Sequence, residues 1–361
     1  MVNFFKMKKN LLIISPSTPQ VAANAGDWRV VSLTKELAKS FNVSFMPLKY
    51  KSSAKYIKSL KNVKIVKIIR DINKFSNFIK KDKIETLIIE KYWDIPFDVC
   101  GYMSAVKTSI IDVHEIGFKK TEALLKIKDI ENNKVYKAKE LMLYKQADIL
   151  IAISEPEKNE LKKYFPDKKI ILIPTCTDDS ETNVNFNKRK DICYFGFYGH
   201  NPNKDAINYF IENIFEKLLK IKPEMRFYIL GKGAGIFKNL HKNIITNGNI
   251  KDINGELSKY RVFVCPLRYG AGIKKKVLDA MASKTPVVST KYGYEGIKGT
   301  EKYAVDCNPS DFAKAVFELY DNERKWNKIS KDNFNIVKKH YSVKCFEKYV
   351  RKLAEYIYKT F

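Results

Sequence analysis

The stretch from Pro266 to Ile297, PLRYGAGIKKKVLDAMASKTPVVSTKYGYEGI, gathers residues that together could hold an anion. Gly270, Ala271 and Gly272 are small enough for a ligand to approach the backbone. A helix starting near Ile273 would turn its unpaired N–H groups and the positive end of its dipole toward negative charge. Lys274, Lys275 and Lys276 fall in that first turn, where the dipole disfavours cations, and an anionic ligand would account for them. The chemistry indicated is phosphate binding.

The flanking elements would position this loop. RVFVCPL is a continuous apolar run rich in β-branched residues, as expected of a strand buried on both faces of a parallel sheet. VLDAMA reads as a short apolar helix, SKTP as its stop, PVVST as another buried strand, and YGYEGI as a loop at that strand's carboxyl end. Ligands of open α/β sheets bind at carboxyl ends of strands, so the two loops belong side by side.

This block resembles the donor-binding half of GT-B glycosyltransferases, and within them the retaining group often called family 4. Their block reads roughly Pro-Leu-x-x-Gly-x-Gly-x-x-x-Lys-x-Leu-Glu-Ala-Met-Ala-x-Gly-x-Pro-Val-Val-x-Thr, and the resemblance extends over most of the chain. It implies an α/β architecture of two Rossmann-like domains facing across a cleft. Residues 1–178 would form an acceptor-side domain and 190–340 a nucleotide-sugar-binding domain. Residues 341–361 would form a helix that crosses back onto the first.

Composition sets the outer bounds. The 361 residues fit two domains of ordinary size, and 45% hydrophobic content excludes a disordered chain. The net charge of +27 would suit a polyanion. No zinc-finger spacing, aromatic RNP pattern or basic region leading into heptads points to nucleic acid. An anionic membrane surface is the better candidate, with KYIKSLKNVKIVKI and NKFSNFIKKDK mixing lysine and apolar residues in the manner of interfacial segments. Ordinary amphipathic elements packed on their own sheet explain the same pattern. Cys100, Cys176, Cys193, Cys265, Cys307 and Cys345 are widely spaced, which suggests free thiols in a reducing compartment. The opening MVNFFKMKKNLLIISPSTP reads as a first strand and not as a signal peptide, and no run approaches a membrane span. The expectation is a cytoplasmic protein that could be peripheral on the inner membrane face.

The first half alternates LLIIS, VSFMPL, VKIVKI, TLIIEKYW, SIIDV, DILIAIS and KIILIP with amphipathic stretches, including a long charged helical region from about Lys119 to Gln146. That is the pattern of a doubly wound sheet. Between Thr175 and Arg189 the apolar period is lost and the chain reads as a linker. DICYFGFYG, a helix from about Asp205 to Leu219, RFYILG and a strand ending near Thr246 open the second half, and the chain from Pro309 onward reads as helical.

Other positions follow from these elements. NAGDWRV places Gly26 before a helix expected from about Trp28, and the resemblance implies a glycine loop there under the donor diphosphate. The family often has two glycines; this chain has Ala25-Gly26. His114 lies just past the strand SIIDV. A lone histidine usually has a structural role, whereas the resemblance implies one that reaches the donor sugar, with Glu115 beside it. Ser154 with Glu157 reads as a helix capping box. In FYGHNPNKDAINYF, Gly199 follows a strand, and His200 and Lys204 stand where relatives carry a basic pair clamping the diphosphate. The arginine common after that glycine is absent, although Pro202 to Ala206 fits a familiar variant. Gly231 and Gly233 follow RFYIL, in a loop that relatives place near the base, and the next loop would set Ile250 and Lys251 at the base edge. Asp279 stands where relatives use a glutamate for the ribose hydroxyls. The family's first acid falls near Ala271 and is missing.

The resemblance implies a retaining hexosyltransferase that moves sugar from a nucleotide-sugar donor to a glycan or lipid-linked acceptor, in cell-surface polysaccharide or glycoconjugate synthesis. Charge developing on the leaving diphosphate would be met by the N–H groups of Gly272 and Ile273, the helix dipole, Lys276 and Lys204. No Asp-x-Asp occurs, so no metal and no other cofactor is expected. Two alternatives remain, a GT-B nucleotide-sugar epimerase and a nonenzymatic basic nucleotide-binding protein. The epimerase would need carboxylates in the cleft, and no convincing acidic pair stands at a strand end. A nicotinamide enzyme is disfavoured because no strand leads into Gly-x-Gly-x-x-Gly. UDP, GDP and ADP donors, and the acceptor, stay open.

Overall fold

A computed structural model describes residues 8–16, 25–48, 61–90, 99–119, 121–122, 134–179 and 185–360. The chain forms two compact units, one of residues 1–174 with 346–361 and the other of residues 175–345.

In the first unit β1 (Asn10–Ser15), β2 (Asn42–Pro47), β3 (Val63–Ile65), β4 (Ile84–Glu90), β5 (Thr108–Val113), β6 (Ile149–Ala152) and β7 (Lys169–Leu172) form one parallel sheet in the order β3-β2-β1-β4-β5-β6-β7. The apolar runs are continuous because both faces are covered: Leu11 to Ile14 and Ile110, Ile111 and Val113 are buried throughout. Each such side chain contributes about 1.5–3 kcal/mol on leaving water. Strand order reverses between β1 and β4, and an open α/β sheet forms its ligand crevice outside the carboxyl ends at such a switch.

The helix Val343–Thr360 buries Phe346, Val350, Leu353, Ala354 and Ile357, spaced three and four apart, and from Phe346 onward it belongs to this unit. The Tyr358 hydroxyl donates to the Ser40 carbonyl at 2.8 Å and accepts from the Lys9 N–H at 3.0 Å, and its ring stacks on Phe41. The helix Ile72–Lys81, which overlaps NKFSNFIKKDK, packs Phe75 and Ile79 into its own core and leaves Lys74, Lys80 and Lys81 exposed. Lys55 to Leu60 of the other lysine-rich stretch lie outside the described residues. Of the long charged helix expected from Lys119, the described part is Lys134–Gln146. Ser154 caps the helix Glu155–Tyr164 as expected, accepting from the Glu157 N–H at 3.3 Å.

In the second unit β8 (Lys190–Phe195), β9 (Phe227–Leu230), β10 (Ile244–Asn247), β11 (Tyr260–Cys265) and β12 (Val287–Ser289) form a parallel sheet in the order β10-β9-β8-β11-β12. Its order reverses between β8 and β11, so the loops after those strands flank the switch. The expected helix from Asp205 is instead a helix Asn201–Phe210, a π turn Ile211–Phe215 and a helix Glu216–Ile221.

The polar stretch read as a linker is anchored at both ends. Thr175 and Thr177 are buried, and Thr177 N–H donates to the Tyr341 carbonyl at 2.9 Å. Arg189 is fully buried, donating to Thr285 Oγ1 at 2.6 Å and the Ser283 carbonyl at 2.8 Å, with its guanidinium over the Trp326 ring. Its polar groups satisfy buried backbone, which a hydrophobic period cannot register. The six cysteines are free thiols, and Cys176, Cys193 and Cys265 are buried. Among the described residues no helix is long and apolar enough to cross a membrane.

Candidate active site

The loop after β11 takes the shape that its glycines permit. Gly270 has φ 145° and Gly272 φ 72°, conformations that side chains resist. The helix that follows runs Lys275–Ala282, two residues later than the spacing predicts, with Lys274 at its N-cap. The later start leaves Lys274 outside the helix in an extended conformation and makes Lys275 and Lys276 its first two residues. Lys274 Nζ donates to the Gly272 carbonyl at 2.5 Å and pairs with Glu295 of the YGYEGI loop at 3.1 Å. Lys275 turns along its own helix to Asp279 at 2.5 Å. Lys276 reaches the Tyr194 hydroxyl at 2.5 Å and Asn203 Oδ1, with its ammonium over the Tyr194 ring.

Lys276 therefore has a hydroxyl and an amide as hydrogen-bond partners. Burial pushes its pKa down to about 8, Cys265 acts in the opposite direction, and Lys274 adds a little repulsion. The residue as a whole is half-buried; its ammonium is enclosed. Tyr194 and Asn203 are themselves fixed: the Tyr194 hydroxyl and Asn203 Oδ1 are 2.9 Å apart, and Asn203 Nδ2 donates to the Phe197 carbonyl at 2.8 Å. Asn203 and Tyr194 were not singled out from the sequence, although Asn203 sits in the Pro-Asn-Lys-Asp-Ala segment that was.

Neighbouring strand ends join this loop. The Gly196 N–H donates to the Leu230 carbonyl at 3.0 Å and the Tyr198 N–H to the Lys232 carbonyl at 3.0 Å. Gly231 has φ 107°, and a Cβ there would lie 2.2 Å from the Gly196 carbonyl oxygen, so contact between the two loops requires glycine. The Gly231 N–H donates to the Asn247 carbonyl at 2.8 Å, which draws in the loop carrying Ile250 and Lys251. Gly233, with φ 88°, caps the short turn Ala234–Phe237. Gly199, His200 and Lys204 are exposed, His200 as N-cap of the helix Asn201–Phe210 and Lys204 in its first turn. Ala271 is half-buried, and Gly272 and Ile273 are buried. Arg268 grips Asp205 with Nε 3.0 Å from Oδ2 and Nη2 on Oδ1, tying PLRYG to NKDA; both halves lay in motifs already noted, but the pairing did not.

Asp279 is 3% exposed and accepts from Thr177 Oγ1 at 2.6 Å as well as from Lys275. Both of these bonds go to Oδ1. The 102-residue separation from Thr177 hid that bond from sequence reading.

The first unit has its own polar cluster at the carboxyl edge. Gly26 lies inside the helix Ala25–Leu37, near its start, and not in a preceding loop; residues 17–24 lie outside the described set. Arg29 points inward, with Nε 2.8 Å from Asp112 Oδ2, Nη2 2.7 Å from Oδ1, and Nη1 on the Ile173 carbonyl. His114 Nε2 is 2.6 Å from Glu90 Oε2 and 3.4 Å from Asp112 Oδ2. Glu90 and Asp112 are register partners at the ends of β4 and β5, so an acidic pair does stand at adjacent strand ends. Sequence reading missed it because Glu90 terminates an apolar run and only strand pairing brings it to Asp112.

Burial alone would raise Asp112, but Arg29 and then His114 outweigh it and hold the carboxyl well below its usual range. Burial raises Glu90, and Asp112 adds to that. Burial would lower His114, yet Asp112 and Glu90 together raise it. Donor atoms of Glu90, Asp112 and His114 lie within 4.8 Å of one another, a set that could hold a metal ion. Arg29 already takes both oxygens of Asp112 and His114 takes one of Glu90, so the chemistry present is an internal ion-pair network. Glu140 anchors the loop beyond it, accepting from the Gly117 and Phe118 N–H groups at 2.8 Å each and from the Tyr144 hydroxyl at 2.6 Å. Glu115 is half-buried beside His114.

Residues 189–322 match the family model described as glycosyl transferases group 1. An uncharacterized 44.6 kDa protein in the cps region of Klebsiella pneumoniae is 26% identical over 156 residues, 39% of this chain and 40% of that protein. Among solved structures, sucrose-phosphate synthase from Thermosynechococcus elongatus superposes with TM-score 0.74 at 14% identity, covering 98% of this chain and 100% of that one. Anabaena HepE in complex with UDP and glucose gives TM-score 0.72 at 10% identity, covering 96% and 99%. The likeness covers nearly the whole chain, whose two parallel sheets have seven and five strands. The chain thus has the GT-B fold, and its residues 189–322 match the group 1 glycosyl transferase model.

Proposed function

We propose that this chain is a retaining glycosyltransferase that moves a hexose from a nucleotide-sugar donor to a glycan or lipid-linked acceptor, without a metal ion, in the synthesis of cell-surface polysaccharide. The observation that carries the reading is Lys276, whose enclosed ammonium bonds a hydroxyl and an amide beside Gly270–Gly272 at the strand-order switch. An ammonium so placed is completed by an anion, and a nucleoside diphosphate supplies one. HepE, whose structure holds UDP and glucose, and the relative from a cps region support the donor class and the pathway type.

As the sugar departs, charge grows on the diphosphate oxygen. Lys276, Lys274 released from Glu295, and the N–H groups at the helix start stabilise it, each such donor being worth about 3 kcal/mol of barrier. The acceptor hydroxyl attacks on the face the leaving group vacates, and the departing phosphate takes its proton. The enzyme works in the cytoplasm, where the buried thiols of Cys176, Cys193 and Cys265 stay reduced, and its net charge of +27 draws it to an anionic membrane surface bearing the acceptor. The epimerase alternative needs two carboxylates free for proton transfer, and Asp112 is bound by Arg29 through both oxygens.

The test is a thermal-shift screen against UDP-, GDP-, ADP- and dTDP-sugars with EDTA present, repeated on Lys276→Ala. Stabilisation by one nucleotide sugar, weakened in the variant, is the expected result. If no nucleotide sugar shifts the protein, the reading is wrong. Conversion of the donor to its 2-epimer without transfer would select the epimerase.

A further inference from the structure

The helix Glu323–His340 of the second unit turns Trp326, Ser330, Asn333, Phe334 and Val337 into its own unit. The face left to solvent carries Arg324, Lys328, Lys331, Lys338 and Lys339, with Asn327 and Asn335 between them and no acid. At about 100° per residue these positions fall within an arc of about 120°, and from Arg324 to Lys339 the ribbon runs about 22 Å along one side of the helix. Glu323 and Asp332 lie off the ribbon, and Asp332 accepts from the Tyr303 hydroxyl at 2.9 Å. No salt bridge neutralises any of the five cations among the described residues, whereas the neighbouring Lys325 pairs with Glu318 at 2.7 Å. The preceding helix Pro309–Asp321, by contrast, exposes Asp311, Lys314 and Asp321, both signs together. Fold stability does not ask for the cationic pattern. Lys338 and Lys339 suit the negative end of the helix dipole, but Arg324, Lys328 and Lys331 gain nothing from it. Arg324 with Lys328 and Lys328 with Lys331 are like charges four and three residues apart, an arrangement that weakens a helix. Burial and then Lys298 and Lys339 lower the pKa of His340, so the cationic field extends past the helix end to Lys298.

We propose that this ribbon is the surface by which the second unit rests on an anionic bilayer, with the helix axis in the plane of the phosphate headgroups. Its role in transfer rests on a membrane-borne acceptor, as proposed above; the surface itself does not. Charge complementarity selects the partner. Four of the five cations are lysines, compact point charges that suit a diffuse layer of phosphates. Recognition of nucleic acid draws instead on the bidentate fork of arginine and on aromatic rings for stacking. The ribbon has one arginine and no aromatic ring. Contact is electrostatic and without insertion, because the apolar residues of the helix are already spent on its own unit. It should therefore be lost at high salt.

Co-sedimentation of the full chain at low salt with vesicles of three parts phosphatidylcholine to one part phosphatidylglycerol tests the surface. Each lysine near such a membrane is worth about five-fold in partitioning, so Lys328→Gln, Lys331→Gln and Lys338→Gln together should lower it about 100-fold. A control set, Lys217→Gln, Lys220→Gln and Lys238→Gln, removes the same charge from exposed positions elsewhere in the unit and should lower it less than about five-fold. Vesicles of phosphatidylcholine alone, or salt at about 0.5 M, should leave the wild type in the supernatant. Equal losses in the two sets would mean that bulk charge and not the ribbon is responsible, and would overturn the inference. Absence of sedimentation by the wild type would overturn it too, as would ribbon-dependent binding of a duplex DNA oligonucleotide in place of vesicles. Acetylation of lysines in the wild type, read by mass spectrometry, keeps the test open if the triple variant does not fold. Vesicles should protect Lys328, Lys331 and Lys338 by about five-fold or more relative to Lys217, Lys220 and Lys238, and uniform labelling counts against the ribbon. Vesicle binding with no shift by any nucleotide sugar in the screen counts against the proposed function alone; a nucleotide-sugar shift without vesicle binding counts against the ribbon alone.

Discussion

Replacing Lys276 with Met removes the enclosed ammonium and keeps an unbranched side chain of similar length. The fall from 10.5 to about 8 corresponds to about 3 kcal/mol, the cost to the folded state of carrying this charge below pH 8. The bonds to Tyr194 and Asn203 return about 1 kcal/mol, so at pH 7 the Met variant should be more stable by about 2 kcal/mol. The sign follows from proton counts. Between pH 8 and 10.5 the unfolded chain binds the Lys276 proton and the folded chain has released it, so wild-type stability rises through that window. The variant lacks this rise, and its advantage should vanish by about pH 10.5. Urea midpoints at half-unit pH steps from 7 to 10.5 measure both quantities. Binding of a nucleoside diphosphate at pH 8 should draw about half a proton back onto wild-type Lys276, and none in the variant, by calorimetry in two buffers of different ionisation enthalpy. A variant less stable than wild type at pH 7, with the same pH slope, would refute the picture of a strained cation awaiting an anion.

Asp112→Asn leaves Arg29 buried beside a neutral amide and should cost about 3–5 kcal/mol in denaturant unfolding; a loss under 1 kcal/mol would mean the pair is not desolvated as described. Gly231→Ala combines φ 107° with a Cβ 2.2 Å from the Gly196 oxygen, so a loss of about 3 kcal/mol or more is expected, and a near-neutral result would show that the two loops can part. Asp279→Ala strips Lys275 and Thr177 of a buried acceptor and should cost about 2–3 kcal/mol in urea unfolding even without ligand. Full stability in that variant would show that these two bonds do not stabilise the fold.

Much of the fold was legible because strands covered on both faces must be apolar end to end: TLIIE, TSIIDV and RVFVC could be read one at a time. Their carboxyl ends, and hence the glycine loop after β11, followed directly. What was hidden depends on pairing. Glu90 meets Asp112 through the register of two strands, and Arg29 meets Asp112 across 83 residues, distances at which local patterning is silent. The lysine triplet was visible, but its division of labour was not, since Lys274 falls outside the helix and the partners Glu295, Tyr194 and Asn203 lie far away in sequence. Arg189 was misplaced into a linker for a related reason: a buried arginine that serves carbonyl groups looks polar in sequence and behaves as core.

The return of residues 346–361 to the first unit makes that unit the last to be completed during synthesis. A ribosome releases residues 1–174 and then the whole second unit before Phe346, Val350, Leu353 and Ile357 emerge to cover the ground around Phe41. Until then the apolar surface around Phe41 that this helix covers stays open, the kind of surface that recruits chaperones or aggregates. A stop codon just after Cys345 would therefore injure the first unit, leaving a second unit with all of its residues attached to an unfinished partner.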